Sequence, residues 1–98
     1  MADLNRLVIS NVPAPIAVEM DEEAGAVYIR FSREKVERTV ADDRTGVITA
    51  VDYDAKGEIV GVEMVGMANL SMKTIRLSLP EPLQRVDLEA APITQKPS

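Results

Sequence analysis

The stretch G-V-I-T-A-V-D-Y-D-A-K-G-E-I-V-G-V-E-M, residues 46–64, decides how the rest of the chain is read. Two β-branched runs, Val47–Tyr53 and Glu58–Val65, flank the polar tetrapeptide Asp54-Ala55-Lys56-Gly57. Valine, isoleucine and threonine suit a pleated, half-buried surface. A glycine-bearing turn between two such runs predicts an antiparallel hairpin. Asp54 and Gly57 are its structural turn residues, with Gly57 at the left-handed backbone position that a side chain resists.

Working upstream, period two recurs. Ile16, Val18 and Met20 share one face, and after the acidic loop Asp21–Gly25 the run Ala26–Phe31 alternates again. The polar turn Ser32–Lys35 leads to Val36–Ala41, and Asp42–Gly46 turns into the hairpin. Five strands with four short connections predict a meander in which sequential strands lie side by side. Before them, Leu4, Leu7 and Val8 have helical spacing, Leu7-Val8-Ile9 fits a short strand equally well, and Pro13 and Pro15 end either one.

Downstream, Gly66 breaks the run. Asn69 could cap a short helix through Leu77, but Ile75, Leu77 and Leu79 alternate with Thr74, Arg76 and Ser78 as a sixth strand would. Periodicity favours the strand. Pro80 and Pro82 end it, Leu83–Leu88 forms one more short element, and Ala91–Ser98 reads as a frayed tail. The fold class is therefore mainly β. It is an antiparallel β-meander of five to six strands with at most one or two short helices at the termini, the alternative being α+β. One domain spans 1–98: an arm or short helix over 1–15, the meander over 16–79, and a proline-containing segment over 80–98.

Composition bounds the function. The 98 residues carry 11 basic and 16 acidic side chains, a net charge of −5, which argues against nucleic acid as a default partner. There is no histidine and no cysteine, which removes serine–histidine triads, thiolate chemistry and the commonest metal ligands. With two tyrosines, one phenylalanine and no tryptophan, the core must be aliphatic and methionine-built. The opening residues lack the basic-then-apolar form of a signal peptide, and no apolar stretch nears the ~18 residues of a membrane helix. A cytoplasmic location without membrane contact is the expectation.

Both faces of the middle strands carry apolar residues: Val27, Ile29 and Phe31 opposite Ala26 and Tyr28, and Val60, Val62 and Met64 opposite Ile59 and Val65. A sheet wetted on one side alternates more cleanly. The terminal segments can cover one face; a second subunit is expected on the other, with Val60, Val62 and Met64 as the candidate interface. The methionines Met64, Met67 and Met72 fit gap-filling core, or else an adaptable contact surface.

Three constellations compete with plainer readings. Asp52, Asp54, Lys56, Gly57, Ile59 and Glu63 follow the spacing of a calcium loop, but lysine stands where an oxygen ligand belongs and the flanks read as strands. A hairpin turn is preferred. Asp21, Glu22 and Glu23 could meet Asp42 and Asp43 as an acidic cluster, although solvated loop acids are commoner. Tyr28 and Arg30 share a face and could bind an anion, or simply pack and snorkel. Tyr28, Arg30, Asp21 and Asp52 are thus the functional candidates. No cofactor site, metal-spaced ligand set or nucleophile elbow is present in the pattern.

V-E-M-D-E-E-A-G-A-V-Y-I-R-F at 18–31 and G-V-I-T-A-V-D-Y-D-A-K-G-E-I-V-G-V-E-M at 46–64 together resemble a family of small prokaryotic proteins, the domain of unknown function 2283. Met20 replaces the usual aromatic and Gly25 the usual acid, and the last ~35 residues lie outside the resemblance. The resemblance implies a β-rich single domain with no accepted activity. It also suggests an antitoxin-like role, because similar families sit beside small RNA-cleaving toxins. The expected function is a non-catalytic, acidic protein–protein interaction module that self-associates, a regulatory or antitoxin-like partner of a basic protein. The alternative is a small carboxylate- and tyrosine-based enzyme or ligand-binding protein.

Overall fold

The computed structural model describes residues 14–44 and 47–95, with the side chains of 42–44 left aside. The expected arm over 1–15 lies almost wholly outside the described residues. Among the described residues, six strands form one sheet: β1 (Ala17–Asp21), β2 (Ala26–Arg30), β3 (Arg38–Arg44), β4 (Val47–Tyr53), β5 (Ile59–Val65) and β6 (Ile93–Gln95). One helix, α1 (Met72–Ser78), and two single 3-10 turns, Glu81–Leu83 and Leu88–Ala90, stand between β5 and β6.

The decisive hairpin forms as read. Asp54 N–H donates to Glu58 O at 2.9 Å and Gly57 N–H to Asp54 O at 3.0 Å, with Gly57 at φ +83. Asp54 Oδ1 accepts from Lys56 N and Glu58 N, both at 2.9 Å, so one buried carboxylate ties the turn together. A bulge at Asp52/Tyr53 shifts the β4–β5 register.

The sheet is mixed, and its order is β3-β4-β5-β2-β1-β6. This corrects the meander in two places. β2 pairs with β5 rather than β3, so the link 31–37 carries the chain past the ends of β5 and β4. It is held there by Ser32 N–H to Val60 O (3.2 Å) and Glu37 N–H to Tyr53 O (2.7 Å). Secondly, β6 joins β1 in parallel, with Val18 N–H bonded to Pro92 O at 2.9 Å. The frayed tail is therefore ordered through Gln95.

The sixth strand expected over Ile75–Leu79 is instead α1. Ser71 caps it, its Oγ accepting from Thr74 N at 3.2 Å, while Asn69 Oδ1 accepts from Ser71 N at 2.8 Å. Ile75 and Leu79, four residues apart, are buried on one side, and Leu77 is 65% exposed.

One face of the sheet is the core face. Val18, Ile29, Val62 and Val51 line up across four strands, as do Met20, Val27, Met64 and Thr49. Ile75, Leu79, Leu83, Val86, Leu88, Ala91 and Met67 cover them. Arg76 fastens this cover, its Nη1 donating to Gln84 O and Val86 O at 2.6 Å each.

A proposed interface is thereby corrected. Val60, Val62 and Met64 are 0% exposed and lie inside the chain's own core, so they cannot form a seam with a second subunit. The C-terminal segment supplies the cover that sequence alone assigned to another chain. Met64, Met67 and Met72 likewise serve the core.

Candidate functional site on the outer sheet face

The opposite face carries the polar chemistry. Strand alternation and register place Ala17, Arg30, Gly61, Asp52 and Thr39 in one cross-strand row. Glu19, Tyr28, Glu63, Ala50 and Ala41 form the next. Side chains here are half-buried or exposed, apart from the backbone of Gly61.

Tyr28 does not stand upright in its own row. It leans across β5 at Gly61, where any Cβ would meet the phenol oxygen and Cζ and come within 2.8 Å of Cε2. The absent side chain makes the path. Beyond it, the Tyr28 hydroxyl donates to Asp52 Oδ2 at 3.0 Å and Thr39 Oγ1 donates to Asp52 Oδ1 at 2.6 Å. Arg30 sits over the Tyr28 ring, 5.2 Å from its centroid. A single polar chain thus ties β2, β4 and β3 together over β5.

Burial, then the hydrogen bond to Asp52 and that carboxylate's charge, push the Tyr28 phenol up to about 12, with Arg30 opposing. The phenol is a donor committed to Asp52 near neutral pH, neither a base nor a nucleophile. Beside it lies an open hollow of about 420 Å³ lined by Glu19, Asp21, Tyr28, Glu63, Thr94 and Gln95. Gln95 Nε2 closes its rim on Glu22 Oε1 at 2.5 Å.

Tyr28 and Arg30 share a face as expected, and Asp52 joins them in a convergence that the sequence reading did not propose. Asp21 lies at the end of β1 and lines the hollow beside Tyr28. The acidic cluster of Asp21–Glu23 with Asp42 and Asp43 does not assemble. Asp42 and Asp43 belong to β3 rather than a turn, and Asp21 and Asp43 are separated by four strand spacings, roughly 19 Å. Asp52, Asp54 and Glu63 diverge: Asp52 is held on the outer face, Asp54 Oδ1 serves the turn amides, and Glu63 pairs in register with Tyr28. Among the described residues, no group of three or more acidic side chains is placed to hold a metal ion. Thr39 and Gly61 were missed. An interior strand glycine signals close approach of another group, and that sign was legible at Gly61.

Fold and face define a small, mainly β protein in which, among the described residues, one sheet surface is covered and the other is not. The family model described as protein of unknown function (DUF2283) matches residues 17–67, which span β1 to β5 and every residue of the Tyr28–Asp52 chain. The chain belongs to that family. No curated protein and no solved structure matches it significantly. Among the described residues, no helix is long and apolar enough to cross a membrane.

Proposed function

We propose that the protein is a non-catalytic, self-associating interaction module whose outer sheet face docks a basic segment of a partner protein. The observation that carries this reading is the charge of that face. Glu19, Asp21, Asp52 and Glu63 stand on it against one cation among its described side chains, Arg30. Small or aliphatic residues between them, Ala17, Ala26, Ala50, Val65 and the 52% exposed Ile48, keep the surface low enough for a flat contact. Complementary charge of this kind steers encounter and selects the partner's sign. A regulatory or antitoxin-like role towards a basic protein is the sharper version.

The rival reading, a carboxylate- and tyrosine-based enzyme or ligand site, draws on the 420 Å³ hollow. It is disfavoured because the Tyr28 hydroxyl and the Asp52 carboxylate are already committed to each other at 3.0 Å, with Thr39 on the second carboxylate oxygen.

The test is isolation of the native complex with cross-link mapping, repeated with Glu19→Lys/Glu63→Lys. A basic protein cross-linked to the outer face and lost on charge reversal supports the reading. An acidic partner, or one bound equally well by the reversed variant, overturns it.

A further inference from the structure

We infer that self-association runs through the free edge of β3, with two copies joining antiparallel about Val40 into one continuous twelve-stranded sheet. This rests on the reading that the chain self-associates, and it assigns the surface.

The sheet order begins with β3, whose seven residues pair with β4 and, among the described residues, with no other strand. Among the described residues, the outward amides and carbonyls of a strand roughly 24 Å long therefore have no strand partner. Edge strands are normally blunted by shortness, proline or a bulge. β6, the other edge, is short at three residues. β3 has none of these devices: its sequence is R-T-V-A-D-D-R, and its register with β4 runs unbroken from Arg38 to Arg44. Thr39 and Ala41 are exposed, as is Val36 just before the strand at 39%.

Charges also guard edges, so their arrangement decides the matter. Antiparallel pairing centred on Val40 sets Arg38 of each copy opposite Asp42 of the other, Thr39 opposite Ala41, and Val40 opposite its own mate. Two basic positions thus face two acidic ones, related by a two-fold axis normal to the sheet. Centring on Ala41 instead would oppose Arg38 to Arg44 and Val40 to Asp42. The pattern favours the first register.

Stacking two outer faces is the competing dimer, and it would set Glu19 and Glu63 of one copy against the same carboxylates of the other. Edge pairing avoids this and leaves the outer faces of both copies side by side and open.

The chain has no cysteine, so single cysteines report the geometry cleanly. Facing residues of an antiparallel pair have Cα atoms about 4.5–5.5 Å apart, within disulfide range. Val40→Cys is expected to oxidise to a species of twice 10.7 kDa, while Ala41→Cys and the β6 control Thr94→Cys stay largely uncross-linked. Arg38→Asp should weaken the dimer in light scattering, and Arg38→Asp/Asp42→Arg should restore it. A parent protein that is monomeric at micromolar concentration overturns both self-association and this edge. A dimer in which Val40→Cys cross-links no faster than Thr94→Cys overturns the edge alone, and preferential cross-linking by Ala41→Cys overturns the register.

Discussion

Tyr28 and Asp52 are hydrogen-bonded over a strand that belongs to neither of them. The phenol leaves β2, crosses β5 above Gly61, and meets Oδ2 on β4 at 3.0 Å. The relationship makes a sign-changing prediction. Gly61→Ala in the parent displaces the ring and should cost about 1–3 kcal/mol, the range for overpacking. In a Tyr28→Ala background the obstruction is gone, and the same change should be neutral or slightly stabilising, because glycine weakens a strand interior. Urea unfolding of the four proteins measures this. Additive effects would mean that ring and glycine are not coupled.

The tyrosines should titrate late. The folded pKa of Tyr28, about 12, lies above its ordinary value of 10.0, so the folded state holds the proton more tightly. The stabilisation is complete below pH 10 and is lost as pH rises through about 12. Tyr53 is also raised, chiefly by burial, with Arg38 opposing from 4.6 Å above its ring. Phenolate absorbance in the native protein should therefore appear above pH 10, and Tyr28→Phe should remove the phenol that titrates near 12. Normal titration of both rings would contradict the Tyr28–Asp52 bond.

The hairpin turn separates two neighbouring substitutions. Gly57→Val forces a β-branched residue to φ +83 and should cost on the order of 1–2 kcal/mol. Lys56→Ala, on an exposed side chain, should leave the melting temperature nearly unchanged. Millimolar calcium should not raise it, since Asp54 Oδ1 is already occupied by two amides. Equal melting temperatures for the two variants would remove the turn assignment.

Local pairing was legible in the sequence, and long-range pairing was not. β4 and β5 are joined by a turn whose chemistry is written in Asp54 and Gly57, and β1 and β2 by a short acidic loop. Nothing in the polar link 31–37 states that it passes two strands before pairing, because alternation encodes faces and not neighbours. α1 was misread since Ile75, Leu77 and Leu79 fit period two, and only burial shows that Leu77 faces away. β6 left no pattern at all, being three exposed residues held by backbone bonds. At the site, Tyr28, Arg30 and Asp52 were legible as types, while their convergence depended on Gly61.

Val62→Asp now tests the core instead of a subunit seam. Val62 is 0% exposed between Ile29 and Val51 in register. A buried, unpaired carboxylate there should cost on the order of 3–5 kcal/mol. The loss should not depend on protein concentration, as measured by denaturation across a wide concentration range. A loss that shrinks at high concentration would return Val62 to an interface.

Arg76 Nη1 donates to two carbonyls of the segment that closes the core face, Gln84 O and Val86 O, at 2.6 Å each. Arg76→Met keeps the aliphatic stem and removes both donors, leaving part-buried carbonyls unsatisfied at a cost of about 1–3 kcal/mol. The covering segment is pinned mainly by Leu83, Val86 and Leu88, without a long helix of its own. Its local opening should therefore become easier before the sheet is affected. Hydrogen exchange is expected to quicken at Leu83 N–H and Val86 N–H, both of which bond within this segment, while the β4–β5 ladder keeps its protection. If every amide quickens equally, cover and sheet open as one unit. If none does, Arg76 is not the clamp.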